Sequence, residues 1–136
     1  VEDEARQSYR DSSLIKALVD NKRFEDAENL YRLLAGERKG ALFLNNGSFD
    51  REPEYPHFDW QLFSNGEYGA AVTGGNLQLS AIPSSGGLFA RQIVKLPSAV
   101  LIISVKSKTS IPKDTNISID MKCAEMLDKA PRPIRI

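Results

Sequence analysis

The stretch Leu33-Leu34-Ala35-Gly36-Glu37-Arg38-Lys39-Gly40-Ala41-Leu42-Phe43-Leu44-Asn45-Asn46-Gly47 changes its period in the middle. Before Gly36, apolar residues recur every three to four positions, as in Phe24, Ala27, Leu30, Tyr31 and Leu34. After Gly40, short apolar runs are broken by Gly, Pro, Asn and Ser. The first spacing is helical and the second belongs to strands. The sequence therefore predicts a mainly β chain: an antiparallel β-sandwich or jelly roll over residues 41–136, preceded by an α-helical hairpin over residues 1–38.

Upstream of the switch, the spacing predicts helices over about residues 3–20 and 24–35, joined by a turn at Asp20-Asn21-Lys22-Arg23. Leu14, Ala17 and Leu18 are expected to share one face of the first helix, with Tyr9 a turn or more before them. Phe24, Ala27, Tyr31 and Leu34 lie along one stripe of the second. Glu28 and Arg32 are four apart in the favourable order. Gly36 is placed to take the left-handed conformation that ends a helix.

Downstream, strand candidates are 41–45, 58–63, 68–73, 77–82, 88–95, 100–107 and 117–124. Turn residues separate them, including Ser64-Asn65-Gly66, Gly74-Gly75-Asn76 and Pro83-Ser84-Ser85-Gly86-Gly87. Leu77, Leu79 and Ala81 alternate with polar residues, as do Ile117, Ile119 and Met121, which predicts one dry and one wet face. Val100-Leu101-Ile102-Ile103 is apolar on both faces and is expected to be a central strand, or an edge inviting association. Asn46-Gly47 can turn the chain sharply, with Phe49 folding back beneath the sheets.

Two resemblances follow from these residues. Ser8–Arg38 resembles one tetratricopeptide repeat: Leu14, Leu18, Phe24, Ala27, Tyr31 and Leu34 stand at its packing positions, while Ile15 replaces its usual glycine. A lone repeat cannot bury its own apolar face, so the resemblance implies neighbouring repeats or a protein partner, with Tyr9, Leu14, Tyr31 and Leu34 as candidate partner-binding residues. The second is carried by Leu44-Asn45-Asn46-Gly47-Ser48-Phe49-Asp50, Pro56-His57-Phe58-Asp59-Trp60 and Leu96-Pro97-Ser98. It resembles the galactose-binding-like, carbohydrate-binding-module jelly roll over about Leu42–Ala124, with a strand or two missing and only Pro133-Ile134-Arg135-Ile136 left to supply one. Sugar binding there needs an aromatic face and polar neighbours, for which Tyr55, His57, Trp60, Tyr68 and Arg91 are the candidates. Trp60 reads first as a core residue, and Tyr55 and His57, in a Pro-flanked loop, are expected to be exposed.

Composition limits other functions. The 136 residues hold 18 acidic and 18 basic side chains, so no excess positive charge exists to hold nucleic acid. No run approaches the roughly 18 apolar residues of a membrane span. Cys123 is the only cysteine, which rules out an intrachain disulfide and reads as a small buried hydrophobe. His57, the single histidine, offers no metal-binding pair and a weak case for a Cys–His catalytic couple. Glu52, Glu54 and Asp59 have no spacing that demands acid–base catalysis. Asp50, Glu52 and Glu54 contain the oxygens calcium prefers, but a solvated acidic loop accounts for them better.

The sequence therefore predicts a non-catalytic interaction or scaffold protein with no cofactor and no metal, a trimmed piece of a larger protein. The alternative is a carbohydrate-binding module for envelope or extracellular polysaccharide. The sequence leaves the oligomeric state undetermined, although a lone hairpin and an incomplete sandwich both leave apolar surface to cover. The start at Val1, not Met, is that of a mature or trimmed form, so an envelope or secreted location stays open, with the periplasm or cell envelope slightly favoured and the compartment otherwise unknown.

Overall fold

A computed structural model describes residues 1–36, 44–96, 102–123 and 132–135. The chain divides into two compact units, Val1–Lys95 and Leu96–Ile136.

The first unit opens with α1 (Glu2–Asp20) and α2 (Phe24–Ala35), close to their predicted bounds. The turn between them has a specific geometry. Lys22 adopts φ +58°, its N–H donates to Val19 O, and the Arg23 N–H donates to Leu18 O. This pair of bonds is the Schellman motif, which satisfies carbonyls left open at the end of α1. Gly36 follows α2 at φ +72° and ψ 174°, a conformation open to glycine but not the left-handed helical one expected of it.

The buried apolar core consists of Ile15, Ala27, Tyr31 and Phe58. Leu18, Val19, Leu30, Leu34, Tyr55 and Ile93 pack around it. The packing face of α1 is therefore Ile15–Leu18–Val19, at helical i, i+3 and i+4 spacing. This corrects the predicted Leu14–Ala17–Leu18 face, since Leu14 and Ala17 are exposed. Ile15, the departure from the repeat pattern, is itself wholly buried. Ala27 is small enough for the helices to close over it. Tyr31 stacks on Phe58, with ring centroids 5.6 Å apart, and meets Tyr55 edge-on at 6.2 Å. The hairpin thus buries its apolar stripe on a loop from beyond residue 43, within its own unit.

The strands are β1 (Gln61–Leu62), β2 (Tyr68–Thr73), β3 (Asn76–Ala81), β4 (Ala90–Arg91), β5 (Ser118–Met121) and β6 (Arg132–Arg135). They pair antiparallel as β1–β4, β2–β3 and β5–β6, and none of these sheets closes. The predicted architecture is met at this coarser level: a helical hairpin followed by small antiparallel sheets. More of the described residues lie in helix than in strand. Gly74 and Gly75 turn β2 into β3 with φ of +56° and +73°. Positive φ at both central residues is the requirement of a two-residue hairpin turn whose twist matches its strands. Beyond β1, Ser64 bridges Gly69, and the Ala70 N–H donates to Phe63 O. A Cβ on Gly69 would stand 2.9 Å from Ser64 Cβ, so that approach requires glycine.

In the second unit, β5 and β6 pair Ile119 with Ile134, and the tail near Pro133 supplies the strand expected of it. Residues 102–107 of the predicted central strand have no regular structure, and Ile102, Ile103 and Val105 are exposed. A strand apolar on both faces needs sheet neighbours to bury it, and none flanks this segment among the described residues. Residues 100 and 101 of that strand, 41–43 of the first strand, 37–40 of the switch and Ala124 lie outside the described residues. Cys123 is exposed, contrary to its reading as a buried hydrophobe.

Candidate functional site

The densest polar construction is the loop at residues 44–60. Asp59 is completely buried, and its carboxylate meets Arg51 Nη1 at 2.7 Å. The same carboxylate accepts the backbone N–H groups of Glu54 and Trp60 at 3.3 and 3.2 Å. A buried carboxylate is tolerable only with such compensation. Asn45 adds a second tie: its side chain donates to Phe58 O, while its own N–H and C=O bond both ends of the Gln92 amide. Asn46, at φ +52°, donates its side-chain amide to Arg51 O. Its carbonyl accepts the Trp60 indole N–H at 3.0 Å. Asn46 thus turns the chain as its sequence context predicts. Phe49 folds back onto Trp60, with ring centroids 5.4 Å apart.

This network decides where the candidate ligand residues go. Tyr55 is half-buried against Tyr31. His57 is 8% exposed, which corrects its expected exposure. Its Nδ1 lies 2.8 Å from Pro56 O. A carbonyl only accepts, so Nδ1 carries the proton of the neutral ring. Burial pushes the His57 pKa below its usual value, and the positive charge of Arg91 pushes the same way; the bond to Pro56 O opposes both. Trp60 is half-buried with its N–H taken. Tyr68 lies against Phe89 at 5.0 Å. Arg91 is exposed, stands 5.3 Å over the Phe63 ring and donates to Gln61 Oε1. Each aromatic candidate is engaged in an internal contact, and Arg91 alone keeps an exposed head.

A pH response follows from His57. The folded state holds it neutral with a lowered pKa, so the unfolded chain binds the proton more readily. The His57 contribution is therefore constant above about pH 6.5, and stability falls as pH drops from there towards the folded-state pKa. Urea melts from pH 8 to 5 are expected to show this loss in the native sequence. In His57→Gln the loss across the upper part of that range is expected to shrink, whatever the absolute stability of the variant.

The candidate partner residues divide into two sets. Tyr31 and Leu34 are consumed by the internal core. Tyr9 and Leu14 are 75% and 52% exposed. Tyr9 lies in a shallow open groove of about 400 Å³, lined by Glu2, Ala5, Arg6, Tyr9 and Arg10 on the first turns of α1. Leu14 stands one turn beyond Arg10. Glu2 pairs with Arg6 at 3.6 Å, which leaves the groove with a basic rim at Arg10.

Among the described residues, no three His, Cys, Asp or Glu side chains come together as a metal site, and no helix is long and apolar enough to cross a membrane. Asp50 accepts a bond from Ser48, and Glu52 and Glu54 are exposed. Sequence reasoning missed Arg51 and Gln92 altogether. Neither belongs to a periodic stripe, and each acquires its role from a partner that the fold supplies. The chain matches no known protein family, no curated protein and no solved structure.

Proposed function

We propose that the chain is a non-catalytic interaction module, a tetratricopeptide-like hairpin carried on part of a jelly-roll-like β unit. The observation that carries this reading is the division of the hairpin's apolar residues. One stripe is satisfied internally by Phe58, while Tyr9 faces solvent in the groove on the first turns of α1 and Leu14 is exposed one turn beyond its Arg10 rim, about 140° around the helix from Tyr9. A helix that keeps exposed apolar side chains after folding is suited to a partner helix, as neighbouring repeats supply to one another. The basic rim at Arg10 favours a partner helix with acidic flanks.

The jelly-roll reading draws support from strand order. With Ser64 bridging Gly69, the segments run β4, β1, β2, β3 across the surface. That is the spatial order 4-1-2-3 of a Greek key, from which jelly rolls are built. Carbohydrate binding at Tyr55, His57, Trp60 and Arg91 has less support, because His57 is buried, Tyr55 and Trp60 are half-buried, and Phe49 lies against the Trp60 ring.

Photo-crosslinking separates the two. A crosslinker at position 9 is expected to give a discrete protein adduct that Leu14→Asp abolishes and Arg91→Ala leaves intact. Failure of Leu14→Asp to change the adduct, or oligosaccharide binding lost in Trp60→Ala, would replace this reading with the carbohydrate one.

A further inference from the structure

The open edge of β3 carries an inference independent of the hairpin. In the β2–β3 register, Thr73 faces Asn76, Ala71 faces Gln78 and Gly69 faces Ser80. A two-residue turn makes its flanking pair a hydrogen-bonded one, and such pairs alternate along the ladder. The N–H and C=O groups of Asn76, Gln78 and Ser80 therefore point inward to β2. Those of Leu77, Leu79 and Ala81 point outward. On β2 the outward groups at the Tyr68–Ala70 end are met by the chain itself, since the Ala70 N–H reaches Phe63 O and Tyr68 O receives the Asn65 N–H. Among the described residues, no strand pairs with the outer edge of β3.

Edges of this kind are normally blunted by a lysine, a proline, a bulge or extreme shortness. β3 has six residues in unbroken register, with no proline or charge. The whole segment from Tyr68 to Ala90 is uncharged, so two copies brought together here meet no repulsion between like charges.

We propose that β3 pairs antiparallel with β3 of a second copy of this chain, about a two-fold axis at Leu79. In that register Leu79 faces Leu79 of the second copy, and Leu77 faces its Ala81. All the outward N–H and C=O groups of these residues then exchange hydrogen bonds. The side chains also match by face. Leu77, Leu79 and Ala81 continue the apolar face of Ala70 and Val72, while Gln78 falls opposite Ser80 on the polar face. A two-fold contact requires one patch to be complementary to itself, and this register meets that requirement on both faces. A peptide from another protein would satisfy the backbone equally, but nothing in β3 selects its side chains.

The test uses the 136-residue chain under reducing conditions, so that the exposed Cys123 cannot crosslink copies. Sedimentation equilibrium is expected to show a monomer–dimer equilibrium. Leu79→Lys sets two ammonium groups opposite each other and is expected to raise the dimer dissociation constant roughly tenfold or more. Leu79→Glu is expected to do the same. An equimolar mixture of the two variants is expected to recover the dimer, because opposite charges then meet at the axis. That recovery separates a broken interface from a misfolded chain. A native chain that is monomeric up to millimolar concentration overturns the proposal. So does a dimer that Leu79→Lys leaves unchanged, or a mixture that stays monomeric.

Discussion

Asp59→Ala is expected to lower the free energy of unfolding by roughly 3 kcal/mol or more, the scale of breaking a buried ion pair from one side. The substitution strands three donors at once: the Arg51 guanidinium and the N–H groups of Glu54 and Trp60. Arg51 is 29% exposed and recovers part of its hydration, whereas the backbone donors recover little. Arg51→Ala takes the guanidinium from a wholly buried carboxylate that keeps the Glu54 and Trp60 N–H groups, and is expected to be destabilising on a similar scale. Asp59→Asn keeps an acceptor for the backbone donors and is expected to fall between the native chain and Asp59→Ala. Urea denaturation of the three variants and of the Arg51→Ala/Asp59→Ala double variant measures the coupling. A loss below about 1 kcal/mol for Asp59→Ala, the scale of an exposed pair, would mean that the network does not hold the loop.

Phe58→Ala is expected to cost about 3–5 kcal/mol, the range for deleting a buried aromatic ring. The effect should not be confined to the loop. Phe58 is the loop residue that completes the core of Ile15, Ala27 and Tyr31, so its removal uncovers the hairpin's own stripe. Amide hydrogen exchange is expected to accelerate along α2, far from position 58 in sequence. Tyr31→Ala combined with Phe58→Ala should cost less than the sum of the single changes, because the rings stack on each other. Additive losses, or unchanged exchange in α2, would show that the hairpin stands without the loop. Since small domains are held by only about 5–15 kcal/mol, either substitution removes a large share of the margin.

Much of the local structure was legible in the residues. The helical period of Phe24, Ala27, Tyr31 and Leu34 placed α2, and Gly36 marked its end. Gly74-Gly75 between two alternating runs placed the β2–β3 turn. These features depend on contacts a few residues apart, and local chemistry is enough to specify them. The face of α1 was less legible, because Leu14 and Ile15 are neighbours of similar hydrophobicity and either can anchor a stripe. The arrival of Phe58 chose Ile15. The proline beside His57 predicts exposure, but the packing of the loop buries the ring.

The candidate site divides along the same line. Tyr9 and Leu14 could be named from the hairpin's pattern, yet only packing separated them from Tyr31 and Leu34, which the core consumes. By itself, the sequence determined the helices, the turns and the alternating strands, whose causes lie within a turn or a hairpin. Only the tertiary structure decided that Arg51 pairs with Asp59, that Gln92 closes on Asn45 and that Phe58 completes the hairpin's core. Such pairings depend on groups remote in sequence reaching contact, and they become favourable only when burial removes the water that would otherwise satisfy each group alone.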